Sequence, residues 1–168
     1  MSEMERWYDR KRLPEGAQAI VADPGEREAL ARRFAIVSIA RFEVLVTLAD
    51  DGTAVTATGT LVADVVQPCA VSGEDLAVHI AEPVSLRFVA PYAGPGSEDE
   101  ELDVAMLDEI EIEDDRFDLG EAIAQELALA IDPFATGEHA EETRRAAGLI
   151  DETASGPFAA LAALKKPN

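Results

Sequence analysis

Few residues of this chain are equipped for chemistry: two histidines, one cysteine and a large surplus of carboxylates. His79 falls on the outward parity of a strand-like alternation and His139 in a polar stretch. With neither histidine usable as a base, no Ser-His-Asp or Cys-His site can be assembled. Cys69 stands alone, so it has no disulfide partner, and one cysteine with two distant histidines cannot supply the four ligands of a structural zinc site. Gly94-Pro95-Gly96 lacks both the spacing and the following lysine of a phosphate loop. A calcium loop beginning at Asp115 would place Gly120 and Glu126 suitably, but Phe117 and Leu119 then occupy ligand positions without offering oxygen. No carboxylate pair is singled out for acid–base work, and a solvated acidic face is the simpler reading. The residues therefore predict a protein that is not an enzyme and holds no cofactor or metal.

What remains is charge. Asp and Glu number 34 against 14 Lys and Arg, a net charge of −20 and a pI near 4.2. Such a chain repels polyanions and attracts basic proteins, whereas proteins that grip DNA or RNA by their phosphates carry basic patches. The distribution is uneven. Residues 1–41 are close to neutral, with Arg6, Arg10, Lys11, Arg12, Arg27, Arg32, Arg33 and Arg41 offset by acids, while residues 98–115 are mostly acidic and contain no base. Trp7-Tyr8 beside Arg6, Arg10, Lys11 and Arg12 has two readings: bases stacked and phosphates neutralised, or a strand laid over the core.

The elements that must position these groups follow from pattern. Asp23-Pro24-Gly25-Glu26 has the cap, first-turn proline and capping-box acid of a helix start, predicting a short helix to about Phe34. Phe42, Val44, Val46 and Leu48 then alternate as one face of a strand, and Asp50-Asp51-Gly52 supplies a turn. A return strand covers 53–66, with Gly59 marking a bulge or a close backbone approach. In a third strand Leu76, Val78, Ile80, Val84, Leu86 and Phe88 share one parity, and Pro83 marks an edge or a break. Ile110 and Ile112, alternating with Glu109, Glu111 and Glu113, predict a short final strand. Asp118 and Glu121 cap a helix whose buried stripe is Leu119, Ala122, Ile123, Leu127, Ala130 and Ile131.

The expected class is α+β: an antiparallel sheet, open or closed in a barrel-like way, with an N-terminal helix, a helix after the last strand and a flexible C-terminal tail. Residues 1–134 are expected to form one domain with an acidic mobile loop at 94–106, residues 135–156 a flexible polar linker, and residues 157–168 a short terminal helix or tail. Aromatic residues make up only 5% of the chain, so Val, Leu, Ile and Ala must build the core. The charged start Met1-Ser2-Glu3-Met4-Glu5-Arg6, the lack of a run of ~18 apolar residues and the solitary cysteine predict a cytoplasmic protein without secretory signal or membrane span.

Four stretches in this order resemble the YceD family of large-subunit ribosomal RNA accumulation proteins: Asp23-Pro-Gly-Glu-Arg-Glu-Ala-Leu-Ala-Arg-Arg-Phe34, Gly59-Thr-Leu-Val-Ala-Asp-Val-Val-Gln-Pro-Cys69, Asp118-Leu-Gly-Glu-Ala-Ile-Ala-Gln-Glu-Leu-Ala-Leu-Ala-Ile-Asp-Pro133 and Pro157-Phe-Ala-Ala-Leu-Ala-Ala-Leu-Lys165. The resemblance implies a small non-enzymatic bacterial protein that supports accumulation of 23S ribosomal RNA and large-subunit assembly. Many members carry a further cysteine where this chain has Ser72, which leaves Cys69 as a small residue at a strand end. Resemblance and charge together predict an indirect action on ribosomal RNA, through a basic ribosomal protein or an rRNA-processing factor, with no DNA or membrane partner. The alternative is direct RNA binding by the Arg-rich N-terminal third. The partner-binding candidates are Gln67, Pro68 and Cys69, the arginines Arg32 and Arg33, and the acids Glu109, Glu111 and Glu113.

Overall fold

The computed structural model describes residues 2–90, 109–112 and 115–149. The acidic loop expected at 94–106, Glu113 and the terminal helix expected at 157–168 lie outside them. The chain divides into two compact units, Met1–Gln67 with Ala77–Asp132 and Pro68–Leu76 with Pro133–Asn168.

The first unit opens with β1 (Trp7–Asp9), a 3-10 turn at Arg10–Arg12 and β2 (Ala17–Val21), so two strands precede the first α-helix, α1 (Pro24–Arg33). Asp23 Oδ1 accepts from the Glu26 N–H at 2.9 Å and Glu26 Oε2 accepts from the Asp23 N–H at 2.8 Å, closing both arms of a capping box. α1 buries only Leu30 and Ala31 and packs on β3 (Ser38–Asp50). In β3 the expected parity holds: Phe42, Val44, Val46 and Leu48 are buried. At the hairpin, the Asp51 carboxylate accepts from the N–H groups of Thr53 and Ala54, each at 2.8 Å, while Gly52 takes a positive φ of 89°. The chain then returns as β4 (Ala54–Pro68). Gly59 sits opposite Val46, where a methyl group would run into the Leu45 carbonyl, so close approach is its reason. The bulge falls instead between Ile39 and Arg41.

β5 (Asp75–Val89) runs unbroken through Pro83. β6 (Glu109–Glu111) pairs with it in parallel, from Arg87 to Val89 only. The sheet order is β2-β3-β4-β5-β6, which corrects one expectation and decides between two alternatives of another. The sheet is mixed rather than purely antiparallel, because a long connection separates β5 from β6. It is also open: its edges are the short β2 and β6, which do not pair with each other among the described residues. The last strand is not at Ile110–Ile112 but is β7 (Arg116–Asp118), which forms a separate two-stranded ribbon with β1.

α2 (Leu119–Ala130) follows β7 directly. Its Leu119, Ala122, Ile123, Ala124 and Leu127 are buried and join Phe42, Leu61, Phe88 and Met4 in the core. Full burial of each large side chain contributes roughly 1.5–3 kcal/mol. The second unit contains α3 (Ala140–Ala146), where the sequence reading has a linker. Glu141 and Glu142 in its first turn and Arg144 and Arg145 in its last suit the helix dipole. No helix among the described residues is long and apolar enough to cross a membrane.

Candidate interaction surfaces

Most basic residues of the N-terminal third point back at the protein's own acids; Arg27 donates instead to the Ala22 carbonyl at 2.7 Å, and Arg12 is exposed with no acid partner among the described residues. Arg6 forks onto Glu26 at 2.7 and 2.9 Å, and Arg10 onto Asp50 with two bonds of 2.8 Å. Lys11 reaches Asp115 at 2.6 Å, and Arg41 reaches Glu43 at 2.6 Å. Arg33 bridges two carboxylates, Glu3 at 2.8 Å and Glu121 at 2.7 Å. The Arg33 hydrogen bond holds the Glu121 carboxyl at a pKa of about 2, with partial burial opposing and Gln125 and Ser2 assisting. Arg6 likewise lowers Glu26. Arg32, the more exposed of the two candidate arginines, pairs with Glu28 one turn back.

Trp7 and Tyr8 belong to β1, laid along β7. Tyr8 stacks on Phe117 at 5.9 Å, and the Arg116 guanidinium lies over the Trp7 ring at 5.5 Å. Asp118 ties the segment down. Its Oδ1 accepts from the N–H groups of Arg6 at 2.7 Å, Gly120 at 3.0 Å and Glu121 at 3.2 Å. A methyl group at Gly120 would collide with the Met4 carbonyl. The aromatic pair is a strand over the core, the second of its two readings.

Gln67 is buried at the end of β4, and its Nε2 donates to the Asp132 carbonyl at 2.6 Å. Its Oε1 finds no hydrogen-bond partner among the described residues. Pro68 next to it is exposed. The buried Cys69 sulfur accepts from the N–H groups of Ser72 at 3.3 Å, Gly137 at 3.4 Å and Val71 at 3.5 Å. The Ser72 side chain, followed by these N–H groups, pulls the thiol pKa down to about 6 against the effect of desolvation. The thiol thereby holds its own loop, whose other bonds run from Cys69 N–H to the Glu74 carbonyl at 2.7 Å and from Gly73 N–H to the Cys69 carbonyl at 3.0 Å. No group of three or more metal-ligating side chains is gathered among the described residues.

Glu109 on β6 takes Arg87 at 2.9 Å, and Glu111 is exposed. The candidates thus keep different company: Arg32 and Arg33 bind Glu28, Glu3 and Glu121, Glu109 binds Arg87, and Cys69 binds backbone N–H groups. No hydrogen bond or ion pair joins these sets among the described residues.

One feature escapes the sequence reading, a groove of about 390 Å³ between the second half of α2 and the middle of β5. Pro83, Leu129 and Ala130 wall it, and Glu82 and Glu126 line it. Leu129 carries the available signal, an apolar residue off the buried stripe of α2 and 82% exposed.

Residues 57–165 match the model of a family described as "Large ribosomal RNA subunit accumulation protein YceD". The match starts within β4, so the quoted Asp23–Phe34 stretch lies ahead of it. No curated protein and no solved structure matches the chain. With well over half its length matched from β4 onward, the chain belongs to the YceD family of large ribosomal RNA subunit accumulation proteins.

Proposed function

We propose that the protein supports accumulation of the large-subunit ribosomal RNA as a non-catalytic cytoplasmic factor, by holding a basic ribosomal protein or an rRNA-processing factor on its acidic surface. The family description ties its members to accumulation of the large ribosomal RNA subunit. The observation that carries the mechanism is the internal pairing of Arg6, Arg10, Lys11, Arg32, Arg33 and Arg41. An RNA phosphate would have to displace a carboxylate from each, and the released carboxylate would then repel it. Cationic partners face no such exchange at exposed acids such as Glu5, Glu15, Glu82 and Glu111. A field of this sign speeds capture of a basic protein and disfavours anionic competitors.

Affinity capture from lysate at low and at high salt tests the reading. Basic proteins of the large subunit or its processing factors are expected in the low-salt eluate and lost at high salt, because long-range attraction is screened. Recovery of protein-free 23S RNA would overturn it. A deletion strain should show a reduced ratio of 23S to 16S RNA, and an unchanged ratio would argue against any part in ribosomal RNA accumulation.

A further inference from the structure

The five-stranded sheet has two edges, and they are built differently. β6 is three residues long and two of them are Glu109 and Glu111, charges of the kind that keep a sheet edge from pairing with another chain. β2, Ala17-Gln-Ala-Ile-Val21, has no charged residue and no proline. It has no bulge either, since its register against β3 runs without a break from Ala17–Thr47 to Val21–Glu43. In continuation of that register, the Ala22 N–H donates to the Phe42 carbonyl at 3.0 Å. Ladder bonds alternate along an antiparallel pair, so Gln18 and Ile20 bond to β3, while Ala17, Ala19 and Val21 turn N–H and C=O away from it. All three of these are exposed. The Val21 carbonyl accepts from Arg6 Nη2 at 3.3 Å, and the outward groups of Ala17 and Ala19 have no hydrogen-bond partner among the described residues.

An open edge takes a strand. Residues 91–108 leave from β5 and return to β6, at the opposite edge of the sheet. Residues 157–165 are mostly Ala and Leu, strong helix formers, and Ala is depleted in strands. A basic partner finds no particular attraction here, because residues 1–41 are close to neutral. For a second copy, the same neutrality makes this the part of an acidic molecule where like charge repels least. The strand also complements itself. We propose that two copies of the chain join at β2, antiparallel across a two-fold axis at Gln18: Ala17 exchanges N–H···O=C bonds with Ala19 of the second copy, and Ala19 with Ala17 of the second copy. This register uses only free backbone groups and leaves the Val21 carbonyl to Arg6. It also sets Glu15, an exposed carboxylate with no partner among the described residues, opposite Val21 of the second copy, beside the Arg6 guanidinium there. Each contact recurs by symmetry, as an isologous interface requires, and the two sheets become one. The inference is independent of the function proposed above.

Sedimentation equilibrium of the full chain is the test. An interface of one short strand is small, so the dimer is expected to be weak, with a dissociation constant on the order of 100 µM. It should tighten as salt rises, because screening relieves the repulsion between two copies of net charge −20; capture of a basic partner has the opposite salt dependence. In amide exchange, Ala17 and Ala19 should gain protection as the protein is concentrated, while Gln18 and Ile20 are protected throughout. Ala19→Pro removes an outward N–H and no bond to β3, so it should abolish the dimer and keep the wild-type fold by circular dichroism. Glu15→Arg, at an exposed position ahead of β2, leaves the strand untouched. It should weaken the dimer roughly fivefold, although it lowers the net negative charge and would strengthen any association limited by net charge alone. A monomer at every concentration, a dimer that survives Ala19→Pro, or a tighter dimer in Glu15→Arg would overturn the proposal. So would protection of Ala17 and Ala19 in the dilute monomer, which would mean that the chain covers its own edge.

Discussion

The N-terminal third and the α2–β5 side are both rich in charge, yet only one has charge to offer. Around β1 and α1 the basic groups are matched, Arg12 excepted among the described residues, and Arg33 is held by two carboxylates at once. On the α2–β5 side, the exposed Glu82 lies beside an apolar groove whose described lining contains no basic residue. The first region therefore works as a clasp inside the fold, and the second works as a surface. On the function proposed above, what would recruit a partner is the charge left after intramolecular pairing, and the sign of a sequence segment is a poor guide to it.

The widest gap between the two regions should appear in their effect on folding. Gly120→Ala places a methyl group against the Met4 carbonyl, with the Arg6 N–H 2.9 Å away. Both neighbours are backbone, so either the N-terminal strap or the start of α2 must move, at a cost of about 3 kcal/mol. Urea denaturation should show that loss. An unchanged midpoint would mean that residues 4–6 are a free arm, as a nucleic-acid-binding tail would be, and the comparison would collapse.

Arg33→Ala comes next. Its side chain is 33% exposed and Glu121's is 26%, so this is a partly shielded clasp, and its loss should cost about 1 kcal/mol. The more specific sign is in the acid limb. Glu121 has its carboxyl lowered from 4.5 to about 2 in the folded chain, so between those values the unfolded chain binds more protons. Stability from the clasp is therefore complete above pH 4.5 and drains away as the pH falls toward 2. In Arg33→Ala, NMR titration should find the Glu121 carboxyl back near its ordinary value, and the acid limb should flatten. A variant that lost RNA retention with no change in either measurement would favour the direct-contact alternative.

How much of this could be seen beforehand follows the range of each signal. The capping box at Asp23, the Asp118 cap, the Asp51-Gly52 turn and the parity of Phe42 through Leu48 are written within a few consecutive residues, where hydrogen-bond geometry and pleat decide the outcome. The pairing of β1 with β7, the parallel seat of β6 and the Arg33–Glu121 bridge join distant residues, 88 positions apart in the last case. No local pattern distinguishes an arginine that will find such a partner from one that will meet solvent. Gly59 shows the boundary: its oddity in a strand is visible, but choosing between bulge and close approach requires knowing that the Leu45 carbonyl lies against it. The groove sits at the same boundary. Pro83 and Leu129 are each unusual in their own element, and only the fold brings them together.

The smallest expected effect is the sharpest for the comparison. Arg32 differs from Arg33 by one position and by nearly everything else: its side chain is 69% exposed, its one acidic partner among the described residues, Glu28, is 72% exposed, and the pair spans a single turn of α1. Such a pair contributes under about 0.5 kcal/mol, and salt screens much of that. Arg32→Ala should therefore leave the denaturation midpoint almost where it was, and the capture of basic proteins unchanged. Of the N-terminal arginines that are paired with an acid it is also the one an RNA phosphate could take with least resistance, since Glu28 holds it in open solvent. If the N-terminal third touched RNA, this substitution would weaken RNA retention and lower its salt slope while sparing stability. A null result in both assays, set beside the losses in Arg33→Ala, would mean that even the most loosely paired arginine of the region has no outside partner.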